Sequence, residues 1–159
     1  MTVIGIDPGK SGGVAGIPGA DSEWAPAWAE EVPTCGKEID GHELARKLRE
    51  IAPEMVIVEK AQAMPKQGVT SMFNYGRGFG LILGVLEGLA IPYRLVTPQA
   101  WKNKVLAGTP KDKSAAENYV RKAYPTIDLS PGKKRTPHDG MADAACIADY
   151  GIRIARGEA

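Results

Sequence analysis

Short apolar runs, rich in β-branched residues, predict the strands of this chain. Four segments show this pattern: Val3–Asp7, Gly13–Ile17, Met55–Glu59 and Pro92–Val96. The stretch near Trp28 is ambiguous and could hold a further strand. Proline and glycine in residues 8–12 predict the turn of a hairpin between the first two strands. The uninterrupted apolar run of residues 55–58 is typical of a strand that is buried on both faces.

Helical spacing of apolar residues predicts the remaining elements. Predicted helices cover residues 40–51, 70–89, 98–104 and 113–123, and a last helix begins near Asp139. In the first helix, Leu44, Leu48 and Ile51 share one face, and Asp40 is placed to cap the N-terminus. Strand, helix and strand in succession indicate a right-handed crossover and an α/β fold.

Four glycines recur at every fourth position of the second predicted helix: Gly76, Gly80, Gly84 and Gly88. This spacing places them on one helical face, where another backbone can approach closely. Since glycine lowers helix stability, the run implies a packing role, either against the sheet of the same subunit or across a dimer interface. Arg77 and Glu87 argue against a membrane span.

Length and composition indicate one domain, because 159 residues with 43% hydrophobic content can bury a substantial core. We therefore expect residues 1–159 to form a single domain. Cys35 and Cys146 have neither metal-ligand spacing nor a disulfide framework, which is typical of reduced thiols. No signal peptide or long apolar segment is evident, so we expect a cytoplasmic protein without membrane association.

Charge is divided unevenly along the chain, although the net charge is only +1. Residues 1–59 carry five cationic and eleven acidic side chains, a net charge of −6. Residues 94–135 carry ten cationic and three acidic side chains, a net charge of +7. The basic segment is either a solvated surface or a binding site for a phosphate backbone, which gains affinity from counterion release.

Acidic residues follow two of the predicted strands and begin the last helix. Asp7 and Glu59 end their strands, and adjacent parallel strands would bring them together. Asp139 and Asp143 are four residues apart and share a helical face that could join the same cluster. Such oxygen ligands suit Mg²⁺ or Mn²⁺, and two ions about 4 Å apart would support phosphodiester hydrolysis.

Each acid also has a structural interpretation. Asp7 could form a turn with Pro8, Glu59 could be a solvated strand end, and Asp139 could occupy the first helical turn. His138 is a candidate metal ligand or proton carrier in place of Asp139, or a helix cap. Because the positions of all four acids fit one carboxylate cluster, we interpret them together as a catalytic and metal-binding set.

Three motifs resemble those of the RuvC-type Holliday junction resolvases. They are Ile4-Gly5-Ile6-Asp7-Pro8-Gly9, Val56-Ile57-Val58-Glu59 and His138-Asp139-Gly140-Met141-Ala142-Asp143-Ala144, in the order and spacing of that family. The segment Thr97–Lys102 resembles the family as well, and the departures described below resemble phage-type or organellar relatives more closely than the bacterial pattern. The resemblance implies a ribonuclease H-like fold with a mixed five-stranded sheet, a homodimer, and Mg²⁺-dependent nicking of four-way DNA junctions. The implied catalytic acids are Asp7, Glu59 and Asp143.

The sequence departs from the family pattern at two places. The family usually spaces its last two acids by three residues, whereas Gly140 stands three before Asp143, so the fourth ligand is Asp139 or His138. The family also places an aromatic wedge after the second acid, where residues 61–69 contain none. Met64 could wedge between bases in its place, or could simply fill a gap in the packing.

Cationic residues are the candidate contacts to branched DNA. They are Lys10, Arg77, Lys102, Lys104, Lys111, Lys113, Lys133, Lys134 and Arg135. Such residues contact mainly phosphates, so we expect junction preference to arise from DNA shape and deformability.

Two other functions compete with a nuclease. A phosphotransferase of the sugar-kinase and actin-like type also begins with Gly-x-Asp-x-Gly, but it needs two such domains to enclose a nucleotide. A non-catalytic module that binds DNA junctions would use the basic segment and leave the acids structural. Cleavage of a junction in the presence of Mg²⁺ or Mn²⁺ separates this module from a nuclease.

Overall fold

A five-stranded mixed sheet with helices on both faces forms the centre of the protein, seen in a computed structural model that describes residues 1–19, 26–62 and 68–158. The strands are β1 (Thr2–Ile6), β2 (Gly13–Pro18), β3 (Trp28–Glu31), β4 (Thr34–Cys35), β5 (Glu38–Ile39), β6 (Met55–Glu59) and β7 (Tyr93–Val96). The helices are α1 (Gly41–Ile51), α2 (Val69–Gly88), α3 (Pro98–Val105), α4 (Ala115–Ala123) and α5 (Asp139–Ala155).

The order of strands in the sheet is β3-β2-β1-β6-β7. β1, β2 and β3 pair antiparallel in succession, while β6 is parallel to both β1 and β7. This topology confirms the predicted hairpin and the predicted α/β fold. It also places the carboxyl ends of β1 and β6 beside each other at one edge of the sheet.

The central strands β1 and β6 are buried on both faces, which for β6 is what the apolar run of residues 55–58 predicts. Val3 and Ile57 point into a core formed with α3, α4 and α5, whereas Ile4 and Val56 point into a second core formed with α1 and α2. The side chains alternate between the two cores because successive residues of a strand face opposite sides. Each central strand therefore contributes to both cores.

Helix α5 lies unusually close to β1. A Cβ atom placed on Gly5 would collide with backbone atoms of Ala144 and Ala148, so only glycine fits at this position. The small residues on the sheet-facing side of α5 allow the approach. Glycine on the strand and alanine on the helix thus bring the start of α5 near the end of β1.

Two boundaries illustrate how capping residues define the helices. Asp40 caps α1 as predicted, since its side chain accepts a hydrogen bond from the Glu43 backbone N–H at 3.0 Å. The predicted start of α4 at residue 113 is two residues early. The Asp112 carboxylate instead accepts bonds from the backbone and side chain of Ser114, at 2.9 and 2.8 Å, which forms a turn before the helix.

The β4–β5 hairpin has no counterpart among the predicted elements. Its strands contain two residues each, which is too short for an alternating pattern to be visible in the sequence. Gly36 adopts a positive φ of 62° at the turn, a conformation that favours glycine. The hairpin places Lys37 beside α2.

The glycine face of α2 is open. A Cβ atom placed on Gly76, Gly80, Gly84 or Gly88 would meet no atom within 4 Å, so no described residue of the subunit packs there. The helix contacts the core through Ile82 and Leu86. Within the described ranges, no helix has both the length and the apolar character needed to cross a membrane.

Candidate active site

Asp7 stands at the junction of β1 and the first turn. Its backbone N–H donates to the Gly13 carbonyl at 3.0 Å, and its Oδ1 accepts a bond of 3.4 Å from the Gly9 N–H. The residue therefore has the turn role that its sequence position suggested. Its side chain is nevertheless half-buried and lies among other acids.

Glu59 is the last residue of β6 and pairs with Val96 of β7. Its Oε2 accepts a hydrogen bond of 2.7 Å from the indole N–H of Trp101, the fully buried anchor of α3. The sequence analysis did not predict this contact. The Glu59 carboxylate is therefore hydrogen-bonded to a buried side chain and is not a freely solvated strand end.

Parallel pairing brings Asp7 and Glu59 together. Ile6 lies opposite Val58 in the ladder, and the two acids are the next residues on their strands. Burial, followed by the negative charge of Glu59, raises the pKa of Asp7 to about 6, against smaller opposing effects of the Gly9 N–H and Lys102. The two carboxyl groups are electrostatically coupled.

Asp143 reaches the same region from the first turns of α5. Burial is the main cause that raises its pKa to about 7; the charge of Lys102 opposes this shift, while Asp7, Glu59 and Asp139 add to it. Three carboxyl groups from three elements therefore influence one another. We call Asp7, Glu59 and Asp143 the acidic cluster.

A glycine contact sets the position of α5 in the cluster. Gly12 and Gly140 form an isolated bridge between the first turn and the helix. A Cβ atom on Gly140 would lie 2.5 Å from the Ser11 carbonyl oxygen and 2.6 Å from the Gly12 Cα. The position three residues before Asp143 thus has no room for a carboxylate, which explains this departure from the family spacing.

Asp139 and His138 occupy different surroundings. Asp139 is exposed, and its charge contributes to the raised pKa of Asp143. The His138 Nδ1 caps α5 by accepting a bond of 3.2 Å from the Met141 N–H, and its Nε2 lies 3.9 Å from a Glu31 carboxylate oxygen. Burial and Lys134 lower the pKa of His138. Asp139 is therefore closer to the role of a fourth acid than His138.

The donor atoms of the cluster fit a hard divalent cation, because they are carboxylate oxygens. Burial, together with the charges of neighbouring acids, raises the pKa of Asp7 and of Asp143, and a cation bound among these groups would favour their ionised forms. Their present side-chain positions do not enclose a common point. Among the described residues, no three His, Cys, Asp or Glu side chains are grouped closely enough to hold an ion. The chemistry of the site fits a metal, and its side chains would have to draw together to bind one.

Two grooves border the acidic cluster. The hairpin groove, of about 870 Å³, lies between the first turn, the β4–β5 hairpin and α2, and it contains Lys10, Lys37 and Arg77. The helix groove, of about 800 Å³, lies beside α3 and the start of α5. It is lined by Lys102, Lys111 and Lys113 together with Asp139 and Asp143. Five of the nine predicted DNA-binding residues thus lie in grooves beside the acids.

The other four predicted DNA-binding residues line neither groove. Lys133, Lys134 and Arg135 are exposed in the loop before α5, where Lys134 forms an ion pair with Glu31. Lys104 is half-buried, and its carbonyl oxygen accepts a bond of 3.4 Å from Arg153. Within the hairpin groove, Arg77 is itself paired with Glu38. Met64, the predicted wedge, lies outside the described residues.

Sequence reasoning missed two side chains near the cluster. Burial and the charges of Asp7 and Glu59 raise the pKa of Tyr75 on α2 to about 12, so its hydroxyl is near both acids. Lys37 was missed because the β4–β5 hairpin was not predicted. Tyr75 gave no signal, since an isolated tyrosine in a glycine-rich helix has no distinguishing pattern.

A buried polar network also escaped sequence reasoning. Asp149, on α5, accepts hydrogen bonds from Tyr119 at 2.8 Å, from Tyr124 at 2.5 Å and from Arg153 at 2.9 Å. The spacing of Asp149 and Arg153 by four residues was the available signal. The network joins α4 to α5 behind the acidic cluster and so supports the helix that carries Asp143.

Comparison with solved structures identifies the fold. Thermus thermophilus RuvC has a TM-score of 0.68 and 22% sequence identity, covering 99% of this chain and 98% of that one. The structure of T. thermophilus RuvC in complex with a Holliday junction substrate has a TM-score of 0.69 and 22% sequence identity, covering 99% of this chain and 97% of that one. The structure of the fowlpox virus resolvase in complex with Holliday junction DNA has a TM-score of 0.58 and 16% sequence identity, covering 96% of this chain and 99% of that one.

Neither a protein-family model nor a curated protein matches the sequence. The structural likeness extends over almost the full length of each chain. The chain therefore has the RuvC-type, ribonuclease H-like fold of the Holliday junction resolvases.

Proposed function

We propose that this protein is a structure-selective endodeoxyribonuclease that resolves four-way DNA junctions by metal-dependent phosphodiester hydrolysis. The observation that carries the proposal is the convergence of Asp7, Glu59 and Asp143 at one sheet edge, between two grooves that each contain cationic side chains. The fold supports it, because solved structures with this architecture include RuvC and a viral resolvase bound to Holliday junctions.

Mg²⁺ is the cofactor that the donor set favours, with Mn²⁺ as a substitute, and two ions would activate water and stabilise the leaving oxygen. Asp7, Glu59 and Asp143 would hold the ions, with Asp139 as the fourth ligand in preference to His138. Lys102 offsets the negative charge of the cluster, since it acts on both Asp7 and Asp143. Tyr75 is placed to line the path of the cleaved strand.

The two grooves define a path for DNA. The hairpin groove contains Pro8 and Gly9, next to Asp7, and the helix groove contains Asp143. A strand that lies in both grooves would therefore pass over the acidic cluster. Lys10 and Lys37 would bind phosphates on one side of the cleaved bond, and Lys102, Lys111 and Lys113 on the other.

A homodimer would supply the two active sites that paired nicks require. The open glycine face of α2 is the surface we assign to it, because no described part of the subunit covers these glycines. Val69 and Phe73, which are 86% and 68% exposed, lie on the same face and extend it as an apolar strip. A second copy of α2 would bury this strip at a close helix–helix contact.

The decisive experiment compares a labelled four-way junction, a fork and a plain duplex, each with and without Mg²⁺. We expect paired nicks in the junction only with metal present, and weaker or no cleavage of duplex. Asp7→Asn should abolish cleavage and retain junction binding, while Asp128→Asn, at an exposed loop acid, should cleave normally. Undiminished nicking by Asp7→Asn, or an uncut junction in Mg²⁺ and Mn²⁺, would refute the assignment.

A further inference from the structure

The hydrogen bond between Trp101 and Glu59 connects the acidic cluster to the interior of the protein. Trp101 is completely buried, and its indole N–H can only donate. A buried donor needs an acceptor, because leaving it unpaired costs about 1–3 kcal/mol. Glu59 Oε2 is that acceptor, at 2.7 Å. Breaking this hydrogen bond would therefore be energetically unfavourable.

The backbone fixes the direction of this bond. Val96 lies opposite Glu59 in the sheet, and Thr97 caps α3 by accepting a bond of 3.2 Å from the Ala100 N–H. Trp101 follows within the first turn of α3, and its indole reaches back to Glu59 at the end of the neighbouring strand β6. One carboxylate oxygen of Glu59 is thereby held, and among the described residues none forms a hydrogen bond with the other.

Trp101 also provides the surface against which Lys102 rests. The Lys102 Nζ lies 5.0 Å from the centroid of the indole ring, within the range of a cation–π interaction. The same ammonium group lowers the pKa of Asp7 and Asp143 against the effect of burial. One buried ring therefore contacts an acid of the cluster and the cation that offsets its charge.

We propose that Trp101 is a positioning residue that orients Glu59 for metal binding, and that its indole senses whether the site holds a metal. The inference rests on the proposed nuclease function. Side chains that hydrogen-bond a metal ligand typically change metal affinity or activity by about 10–100-fold when they are lost. Trp101 should have this effect although it touches neither metal nor DNA.

The first test is the conservative variant Trp101→Phe, which keeps a buried aromatic ring and removes the N–H. We expect the cleavage rate at saturating junction to fall by about 10–100-fold. The Mg²⁺ concentration for half-maximal rate should rise, and the dissociation constant for the junction in Ca²⁺ should stay unchanged. Trp28→Phe makes the same chemical change on β3 and should leave all three quantities unaltered.

The second test does not depend on cleavage. In the variant Trp24→Phe/Trp28→Phe, Trp101 is the one remaining tryptophan, so its emission reports on the Glu59 contact. We expect a saturable change of emission on titration with Mg²⁺ or Mn²⁺, and we expect Asp7→Asn in the same background to weaken it. Calorimetric titration of Trp101→Phe with Mn²⁺ should show the affinity loss directly.

The outcomes separate the two proposals. A wild-type protein that cleaves, beside a folded Trp101→Phe with the same rate and metal dependence, would overturn the positioning role and leave the nuclease intact. If no junction is cut, the nuclease fails, and the emission and calorimetric titrations still decide the role of Trp101. Should Trp101→Phe not fold, an emission spectrum unaffected by saturating metal would overturn the inference.

Discussion

Gly140 lies directly against Gly12, and this contact between two glycines determines how closely α5 approaches the end of β1. Asp143, one turn further along α5, enters the acidic cluster because the helix can begin at this distance. The two glycines are therefore part of the geometry of the site although they carry no functional group.

Substitution of Gly140 by alanine tests this relationship. The new methyl group would lie 2.5 Å from the Ser11 carbonyl oxygen, so α5 would have to move outward. We expect destabilisation of about 1–3 kcal/mol from overpacking, measured by urea unfolding, together with a greater loss of cleavage than of junction binding. Gly140→Asp, which restores the three-residue spacing of the family, should be worse than alanine and not better. Normal activity in Gly140→Asp would contradict the steric explanation.

The sequence predicts the central strands and the main helices well, because these depend on local patterns. The apolar run before Glu59 and the capping by Asp40 are examples that the structure confirms. The β4–β5 hairpin and the bond from Trp101 to Glu59 were not predictable, since one has strands of two residues and the other joins residues 42 positions apart. Contacts of that kind follow from the tertiary fold and not from periodicity.

The glycine pattern of α2 shows a different limit of the sequence. It indicated a packing face but left open whether the partner was the same subunit or a second one. In the structure, no described residue packs against these four glycines. Packing against the sheet of the same subunit therefore does not explain them within the described residues. The dimer itself stays a prediction.

A bulky residue on the glycine face should prevent dimerisation without unfolding the subunit. Gly80→Leu adds a side chain where a Cβ atom meets nothing within 4 Å, so the isolated subunit can accommodate it. Light scattering should give the mass of a monomer for this variant and of a dimer for the wild type. Ser71→Leu, which adds bulk on the groove side of α2, should remain dimeric. A dimeric Gly80→Leu protein would place the interface elsewhere.

Lysines of the helix groove should contribute to DNA affinity through phosphate contacts. We expect Lys111→Ala/Lys113→Ala to weaken junction binding and to reduce the slope of log K against log salt by about 0.9 for each lost contact. Lys122→Ala removes an exposed lysine of α4 that lines neither groove, and it should leave the slope unchanged. Equal slopes for all three proteins would exclude the helix groove as the DNA path.

Lys37 allows the same test on the other side of the acidic cluster. It lies at the hairpin groove together with Lys10, and no sequence pattern distinguishes it from other lysines. Lys37→Ala should lower junction affinity and the salt slope by an amount similar to one lysine of the helix groove. An unchanged slope would confine the phosphate contacts to the side of α3.

The acidic cluster should make the metal-free protein less stable as the pH rises. The folded-state pKa values of Asp7 and Asp143 are raised from 3.8 to about 6 and about 7, so folding favours their protonated forms. Their contribution to stability is complete below pH 3.8 and is lost as the pH rises through 6 to 7.

Asp143→Asn removes one of the repelling charges. In EDTA it should melt several degrees above the wild type at pH 8, since 1 kcal/mol moves Tm by about 2–4 °C at this size, and the difference should shrink towards pH 5. Mg²⁺ should raise the Tm of the wild type more than that of the variant at pH 8, while Asp128→Asn, an exposed acid, should follow the wild type throughout. A Tm difference between Asp143→Asn and the wild type that is independent of pH would show that the cluster is not electrostatically strained.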